Sequence, residues 1–523
     1  MSGESCWWKA AVLFVILSSS HAARILAVIP MPVKSHSIVF LSLMEELAAR
    51  QHQVTVISYF PQEKPRPNYT DIPLDKEKLK QFGRRDMFAM NDMSSFMKLS
   101  MLWIIGNFCG IILEEPQVQQ LIHSKDQQFD LVITEAFFNE ALFGFAHVFK
   151  APLIVLCPFG GTHWMGHMVG NPSPFAYVPD IFLSYGDHMT FIQRLHNTVL
   201  GVYALLGRAL FYIPQQNAIM RKYFNHSESL PSLWEVQHKT ALFLANSHVS
   251  VNYPRPLVPN FIEVGGMHIK PPKKLPQDLQ NYLDDAPDGV IYFSMGSALR
   301  STEFPEIKRR ALLDTFSKLK QKVLWKWEDD NLPDQPPNLR ISKWFPQADI
   351  LAHPNIKLFI THGGLLSTLE TIYHGVPIVG IPVFGDQQMN MVRAETAGFG
   401  ILVEYSNLTT ESLHWAVTEV LQQPRYRENA KRLSRIYRDQ PESPMERAVY
   451  WVEYIHRHRG APHLRSAALD LAWYQYFLLD VMAVILAVVI SVVLFIYVVI
   501  KTVIRMLKSM LAKPSRQTKK KKN

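Results

Sequence analysis

A pair of glycines stands where a predicted strand runs directly into a predicted helix. Residues 357–361 (KLFIT) form an apolar strand candidate, and His362, Gly363 and Gly364 follow it before a helical stretch begins. Paired glycines let backbone amides approach a ligand closely, and a helix start offers free N–H groups at the positive end of its dipole. The arrangement therefore predicts an anion site suited to a diphosphate, although glycine-rich turns after strands are common.

A histidine in the first half of the chain could accept a proton. His36 lies in the predicted turn after the first strand candidate. A neutral hydroxyl nucleophile needs a base to take its proton. The alternative is an exposed loop histidine.

Strand candidates and helical stretches alternate through most of the chain, which is typical of parallel sheets. The strand candidates are residues 24–30, 53–59, 129–134, 152–156, 289–294, 322–326, 357–361 and 377–381. The helical stretches between them include residues 38–51, 306–320, 366–373 and 388–397. The alternation predicts two doubly wound α/β domains, residues 23–252 and 284–465, joined by a proline-rich linker at 253–283. Ligands of such folds bind at the carboxyl ends of the strands.

The composition narrows the class of protein. A chain of 523 residues is too long for one hydrophobic core, and 48% hydrophobic with 19% charged residues excludes wholesale disorder. Nine basic and no acidic residues follow from Lys501 onward, and they equal the whole net charge of +9. The part before is electrically balanced, so we expect no nucleic-acid partner. Three cysteines exclude a disulfide scaffold, and Cys109 and Cys157 are expected to be buried thiols, although a bridge between them is left open.

Residues 342–400, from SKWFPQ to AGFG, resemble the signature of the UDP-glycosyltransferase family. The resemblance extends from Arg24 to the carboxyl tail and is nearest to microsomal members of insects and vertebrates, with an insect character in HGGLLSTLE. It implies an α/β fold of two facing Rossmann-like domains (the GT-B arrangement). The amino-terminal domain would bind the acceptor and the carboxyl-terminal domain the UDP-sugar.

The resemblance implies a donor site built from nine residues of the second half. Those expected to hold uracil are Trp344, by stacking, and Gln347, by hydrogen bonding. Those expected to hold the diphosphate are Ser297, His362, Gly364 and Ser367. Those expected to bind hydroxyl groups are Glu370, on the ribose, and Asp386 and Gln387, on the sugar. Each residue type suits its role, since carboxylates accept from diols and aromatic faces stack on bases.

The same resemblance makes His36 the catalytic base, with Glu135 where the family has an aspartate. In the family this carboxylate orients the imidazole and stabilises its cation. Glutamate is one methylene longer, which leaves the geometry of the pair open, and a carboxylate placed at a helix start for its charge alone is the alternative. Leu366 stands where the family often has an asparagine, so one polar contact is missing or supplied elsewhere. Arg255 is a candidate for contacting the donor sugar. No Asp-x-Asp pair occurs in the chain, so we expect no metal and no cofactor beside the UDP-sugar co-substrate.

Both ends of the chain carry apolar segments. Residues 1–22 have the layout of a secretory signal peptide. Residues 479–500 are predicted to cross a membrane once, because 481–500 carry no charge and would span about 30 Å as a helix. The basic residues follow this segment, which places the tail, residues 501–523, in the cytosol.

The basic tail predicts the membrane in which the protein resides. Lys520 and Lys521 resemble the dilysine retrieval signal of the endoplasmic reticulum, with contact to anionic lipid as the alternative. The catalytic part would then be luminal in a type I membrane protein. Asn68, Asn225 and Asn407 begin possible glycosylation triplets.

The family resemblance implies inverting transfer of a hexose to a hydroxyl of small lipophilic acceptors, and its insect character favours UDP-glucose as the donor. The methionine-rich residues 87–113 suit an apolar acceptor pocket, although a core or membrane-surface helix explains them equally well. The alternatives are a UDP-glucuronate-using transferase of the same family and a non-catalytic luminal protein that binds lipophiles. A homo-oligomer is possible, and detoxification is one of several fitting purposes.

Overall fold

The computed structural model describes residues 22–82, 86–225 and 230–512, in two units that comprise residues 1–466 and 467–523. The predicted signal peptide up to residue 21, the end of the basic tail with Lys520 and Lys521, and the last two residues of the Asn225 triplet lie outside the described residues.

The first half of unit 1 is built on a seven-stranded, all-parallel sheet in the order β3-β2-β1-β4-β5-β6-β7. Its strands are β1 (Arg24–Ile29), β2 (Gln53–Ser58), β3 (Tyr69–Pro73), β4 (Leu131–Glu135), β5 (Leu153–Cys157), β6 (Thr240–Ala245) and β7 (Phe261–Glu263). The central strands are apolar on both faces because helices cover both sides of a parallel sheet. These helices are α1 (Lys34–Ala49), α2 (Ser95–Ile105), α3 (Cys109–Leu113), α4 (Pro116–His123), α5 (Gly144–Val148), α6 (His163–Gly166), α7 (Phe191–Gly207), α8 (Ile213–Tyr223) and α9 (Leu233–Gln237).

The second half carries a six-stranded, all-parallel sheet in the order β10-β9-β8-β11-β12-β13. Its strands are β8 (Val290–Ser294), β9 (Lys322–Lys326), β10 (Leu339–Ser342), β11 (Ile356–Thr361), β12 (Ile378–Gly380) and β13 (Gly400–Leu402). Its helices are α10 (Gln277–Asp284), α11 (Glu306–Ser317), α12 (Gln347–Leu351), α13 (Leu365–His374), α14 (Gln387–Thr396), α15 (Thr410–Gln422) and α16 (Pro424–Arg438). The predicted pair of doubly wound sheets is confirmed.

Each sheet reverses its strand order at one point, and these points position the functional residues. In the first sheet the reversal lies between β1 and β4, and His36 and Glu135 follow or end these two strands. In the second it lies between β8 and β11, whose carboxyl ends lead to Ser297 and His362. Crevices at such reversals are the usual ligand sites of open parallel sheets.

The structure differs from the predicted domain boundaries in two places. The predicted linker, residues 253–283, contains β7, which pairs with β6, and most of α10. A further helix, α17 (Pro444–Arg457), falls in the predicted second domain, yet its buried residues share a core with β1 of the first sheet. Helical spacing of Ala448, Val449, Val452 and Ile455 provides that apolar side, but spacing alone does not reveal which sheet it covers.

Unit 2 contains a short helix, α18 (Trp473–Tyr476), and a long one, α19 (Leu479–Leu511). The 33 residues of α19 have a mean hydropathy of 3.3 over their most apolar window, and none of that window is buried. Length and composition allow α19 to cross a membrane. The helix continues past residue 500, the predicted end of the membrane-crossing segment, into the basic residues that follow. In unit 1, Cys109 and Cys157 are buried and free, as predicted.

Candidate active site

His36 and Glu135 form a close pair at the carboxyl edge of the first sheet. Nδ1 of His36 lies 2.5 Å from Oε1 of Glu135, and the Glu135 side chain is completely buried. The other carboxylate oxygen, Oε2, has no hydrogen-bond partner among the described residues. His36 lies in the first turn of α1, where the sequence had predicted a loop. The longer glutamate side chain can reach the imidazole because β4 ends at residue 135, beside β1.

The contact with Glu135 determines which nitrogen of the His36 imidazole can accept a proton. When Nδ1 donates its hydrogen to Glu135, Nε2 is left as the proton acceptor. A helix start disfavours positive charge, and the buried carboxylate opposes that effect when the ring is protonated. The edge of Phe137 also contacts the His36 ring at 5.2 Å between centroids, which restricts the orientation of the imidazole.

A pocket of about 350 Å³ lies between the two halves of unit 1, and His36 is part of its wall. All nine predicted donor-site residues line it: Ser297, Trp344, Gln347, His362, Gly364, Ser367, Glu370, Asp386 and Gln387. Pro158 and Phe159, which follow β5, add apolar surface from the first half. The structure thus brings the predicted base and the predicted nucleotide-sugar residues to one pocket.

The His362 ring is seated between two glycines. A Cβ on Gly296 would lie 2.5 Å from Cε1 of the ring, and a Cβ on Gly364 would lie 2.5 Å from Nε2. Gly296 also has φ +79°, a backbone conformation that favours glycine. Burial lowers the pKa of His362 to about 4, and the nearby charge of Lys326 acts in the same direction. The ring is therefore neutral at neutral pH and can donate one hydrogen bond to an anion at the start of α13.

Gln347, the predicted uracil ligand, contacts the predicted phosphate and ribose ligands Ser367 and Glu370. Nε2 of Gln347 donates to Oε2 of Glu370 at 2.6 Å and to Oγ of Ser367 at 3.0 Å. Burial raises the pKa of Glu370 to about 7, although the Gln347 hydrogen bond opposes the rise. A ribose diol would supply hydrogen-bond donors to this carboxylate in the charged form.

His268 lies behind Glu370 and was missed by the sequence analysis. Its Nε2 is 3.7 Å from Oε1 of Glu370, and neither ring nitrogen has a hydrogen-bond partner within the described part of the chain. Burial lowers the pKa of His268 to about 4, so the ring is neutral. A single histidine within a predicted linker gives no signal that it approaches a carboxylate 102 positions further along the chain.

The base-stacking candidate Trp344 is also a contact between the two halves. Its side chain is 54% exposed, and Nζ of Lys34 lies 3.9 Å from the ring centroid. An ammonium over an indole face is a stabilising cation–π contact. Because Lys34 begins the helix that carries His36, the contact connects the residue predicted to stack on uracil with the helix of the predicted base.

Asp386 and Gln387 lie at the start of α14. Asn390 donates to Oδ2 of Asp386 at 2.8 Å, and burial raises the pKa of Asp386 above its ordinary value. Oε1 of Gln387 accepts the backbone N–H groups of Val383 and Phe384 at 2.9 and 3.1 Å. Both side chains are therefore held in place before any sugar arrives, and the amide nitrogen of Gln387 remains for a hydroxyl.

Lys326 is a second residue that sequence reasoning missed. It ends β9 and lines the pocket, where Nζ donates to the carbonyl oxygen of Gly296 at 2.9 Å and pairs with Glu328 at 2.7 Å. A lysine at the end of an apolar strand has no distinctive sequence pattern. The available signal is its position at the carboxyl end of a parallel strand, where ligands of such sheets bind; β9 lies one strand away from the reversal point.

Arg255 differs from expectation, because the structure places it outside this pocket. Its guanidinium donates to the carbonyl oxygens of Gly160 and Gly161 at 3.0 and 2.8 Å and to Oγ of Ser173 at 3.1 Å. These contacts hold the turn after β5 and do not point to a donor sugar. Leu366, the departure from the family pattern, lines the pocket and packs against the core of the first sheet.

The three glycosylation candidates remain predictions. Asn407 is exposed. The Asn68 amide is engaged, since Nδ2 donates to the carbonyl oxygen of Ala48 at 3.4 Å and Oδ1 accepts from Gln53 at 2.8 Å.

Two Rossmann-like domains that share a nucleotide-binding pocket define the GT-B class of glycosyltransferases, and solved structures agree. The fold is similar to that of a UDP-glucose: anthocyanidin 3-O-glucosyltransferase in complex with UDP, with a TM-score of 0.57 at 15% identity over 84% of this chain and 99% of that chain. The glycotransferase of kitacinnamycin gives a TM-score of 0.55 at 17% identity over 83% and 99%.

Residues 10–517 match the family model described as "UDP-glucoronosyl and UDP-glucosyl transferase", and the chain belongs to this family of UDP-glycosyltransferases. It is 40% identical to "UDP-glycosyltransferase UGT5" of Dactylopius coccus, over 90% of each chain. It is 33% identical to "UDP-glucuronosyltransferase 2C1" of Oryctolagus cuniculus, over 86% of this chain and 92% of the relative. The family resemblance read from the sequence is confirmed.

Proposed function

We propose that this enzyme transfers glucose from UDP-glucose, with inversion, to a hydroxyl group of small lipophilic acceptors. The observation that carries the proposal is the His36–Glu135 pair, 2.5 Å apart, at the wall of the pocket that holds all nine nucleotide-sugar candidates. A base positioned across a cleft from a nucleotide-sugar site suits attack by a hydroxyl on the anomeric carbon.

In the proposed step, the acceptor oxygen attacks the anomeric carbon from the face opposite the diphosphate. The new carbon–oxygen bond forms as the bond to the diphosphate oxygen breaks, and UDP leaves with the electron pair. The acceptor proton passes to Nε2 of His36, and the buried Glu135 carboxylate stabilises the imidazolium.

The departing diphosphate needs donors already in place. The start of α13 at Gly364, the neutral ring of His362 and the ammonium of Lys326 all face the pocket. Fixed donors aimed at developing negative charge lower a barrier without reorganising during the reaction. With these groups the proposal requires no metal ion and no cofactor.

The charge of the pocket favours a neutral donor sugar. Lys326 is the only lysine or arginine among the described residues that line it, and this ammonium pairs with Glu328 at 2.7 Å. Arg255, the other candidate cation, holds a backbone turn elsewhere. UDP-glucuronate remains the second candidate donor, because relatives 33–34% identical are named UDP-glucuronosyltransferases.

We further propose that the enzyme is a single-pass protein of the endoplasmic reticulum membrane with a luminal catalytic part. The support is the apolar helix α19, the basic residues that follow it and the dilysine ending of the sequence. An amino-terminal signal peptide would deliver the chain to that membrane.

The test compares wild type, His36→Ala and His188→Ala in microsomes, with UDP-glucose or UDP-glucuronate and a panel of phenols. His188 is the matched control, because its side chain is 98% exposed. UDP release by the wild type should require both donor and acceptor. It should fall by roughly 10²–10⁴-fold in His36→Ala, the usual contribution of a general base, and stay unchanged in His188→Ala. UDP binding without release for either donor would favour the non-catalytic alternative, and release with UDP-glucuronate alone would replace the proposed donor.

A further inference from the structure

A buried histidine lies directly behind the residue predicted to bind ribose. Nε2 of His268 is 3.7 Å from Oε1 of Glu370, and the two side chains are 2% and 14% exposed. Glu370 lines the pocket, whereas His268 is not among the described residues that line it. Any effect of the imidazole on a bound UDP-sugar therefore passes through Glu370.

The turn that carries His268 is held from both halves of unit 1. The N–H of Gly266 donates to Oδ1 of Asn246 in the first half at 3.1 Å. The hydroxyl of Tyr437 in α16 donates to the carbonyl oxygen of Gly265 at 2.7 Å. Gly266 has φ +90°, and a Cβ at this position would overlap the Tyr437 hydroxyl. The backbone before His268 is thus fixed, which restricts where its imidazole can lie.

The His268 ring carries an N–H group that no described residue accepts. Neither ring nitrogen has a hydrogen-bond partner in that part of the chain, and the carboxylate that approaches the ring is that of Glu370. Burial lowers the pKa of His268 to about 4, so the neutral ring keeps one N–H at neutral pH. Buried polar groups are almost always hydrogen-bonded, and a movement of about 1 Å would bring Nε2 and Oε1 to hydrogen-bonding distance.

The hydrogen bond that Glu370 receives in the structure comes from a residue with another predicted role. Gln347 donates to Oε2 of Glu370 at 2.6 Å, and its predicted contact with uracil would take that amide away. Burial raises the pKa of Glu370 to about 7, and the negative charge of Asp349 acts in the same direction. Tyr292, which also lies near Glu370, stays uncharged because burial raises its own pKa. An ionised Glu370 therefore needs a replacement hydrogen-bond donor when the nucleotide binds.

We propose that His268 is a positioning residue for ribose recognition, whose Nε2–H donates to Oε1 of Glu370 when the nucleotide binds. The inference rests on the proposed function, in which Glu370 accepts hydrogen bonds from the ribose hydroxyls. An ionised carboxylate accepts about four hydrogen bonds, so one from His268 and two from the ribose diol fit together. The histidine would keep Glu370 in the charged form that accepts from both hydroxyls. A 2′-deoxynucleotide lacks one of them and gains less.

The test measures the Kd of UDP and of 2′-deoxy-UDP by calorimetry with the full chain, from about pH 6 to about pH 9 on either side of the Glu370 pKa. The proteins are wild type, His268→Phe, which removes the N–H, and His268→Gln, which supplies an amide N–H. His374→Phe is the matched control. Burial also lowers the pKa of His374 to about 4, and its Nε2 likewise has no partner among the described residues.

The wild type should bind UDP more tightly than 2′-deoxy-UDP above the pKa of Glu370, and this preference should decline as the pH falls through that pKa. His268→Phe should weaken UDP binding by about tenfold or more, the size of a hydrogen bond to a charged group. Its loss of UDP affinity should begin at a higher pH, because Glu370 without that hydrogen bond is harder to ionise. His268→Gln should restore most of the affinity, and His374→Phe should match the wild type.

Equal weakening of UDP and 2′-deoxy-UDP in His268→Phe, with an unchanged pH profile, would show that the ring only fills space and would overturn the proposal. Unchanged UDP binding in that variant would overturn it too and leave the proposed function intact. A wild type that binds both nucleotides equally would remove Glu370 from the ribose and overturn both. If His268→Phe does not fold, His268→Asn gives the same comparison, because its shorter amide does not reach Oε1 of Glu370.

Discussion

The two halves of the catalytic unit hold their functional side chains in different ways. In the second half, backbone geometry does most of the positioning: two glycines seat His362, and helix starts carry Gly364 and Asp386. In the first half, the proposed proton transfer depends on one side-chain pair, His36 and Glu135, separated by 99 positions in the chain. The proposed donor site is thus held by many contacts, whereas the proposed proton transfer depends on one.

This contrast predicts that changes in the first half reduce turnover, whereas changes in the second half reduce donor binding. Four substitutions or conditions test that division, with the largest expected effect first.

Removing the charge of Glu135 should have the largest effect. Glu135→Gln keeps the shape but loses the buried carboxylate beside the imidazole, so kcat should fall by about 10³–10⁴-fold, as when a triad carboxylate is neutralised. The donor KM should change little. Steady-state kinetics with UDP-glucose check this, with Glu135→Asp as the control that keeps the charge. An equal loss in Glu135→Gln and Glu135→Asp would show that reach, and not charge, is what the pair provides.

Crowding His362 should weaken donor binding by about ten- to hundredfold, because overpacking a tight site costs about 1–3 kcal/mol. Gly364→Ala would place a Cβ 2.5 Å from Nε2 of the ring. The measurement is the Kd of UDP by calorimetry. Gly110→Ala is the matched control, since the nearest atom to its Cβ would be 3.8 Å away. Unchanged UDP affinity in Gly364→Ala would remove His362 from the diphosphate site.

Donor binding should also weaken as the pH falls. The pKa of Glu370 is raised to about 7, so its carboxyl is protonated below that pH and ionised above it. Only the ionised form accepts from both ribose hydroxyls, so UDP-glucose affinity at pH 6 should be about tenfold below that at pH 8. Titrations with Glu370→Gln should lose the dependence. A dependence that persists in that variant would assign it to another group.

The smallest effect is expected where the two halves touch. Lys34→Met removes the ammonium over Trp344, and a loss of two- to fivefold in donor affinity is the size of an exposed cation–π contact. Lys34→Arg should retain most of the affinity. The donor KM measures both, and a fall in kcat with unchanged KM would instead show that Lys34 acts on proton transfer through the helix that carries His36.

The same difference between the two halves explains which parts of the site could be predicted from the sequence. Residues 342–387 form one contiguous motif whose strand, turn and helix starts determine where its side chains lie, and the structure brings its predicted residues to a single pocket. His36 and Glu135 were found by resemblance, and neither the adjacency of β1 and β4 nor the 2.5 Å contact of the pair could be read from spacing.

The residues that were missed or misplaced depend on contacts distant in sequence. His268 and Lys326 come close to the site only through contacts distant in sequence, with Glu370 of α13 for His268 and through the pairing of β9 with β8 for Lys326. Arg255 was expected at the donor sugar, but it holds carbonyl oxygens 94 and 95 positions earlier. Strand β7 and helix α17 join the first sheet through pairings that local periodicity does not encode.

The most direct test of the account is the stereochemistry of the product. A single displacement by an acceptor hydroxyl activated by His36 converts the α-linked glucose of UDP-glucose into a β-glucoside. Proton NMR of the product formed from UDP-glucose and a simple phenol should show the β anomer from the first turnovers. An α-glucoside would contradict the single displacement and, with it, the role assigned to the His36–Glu135 pair.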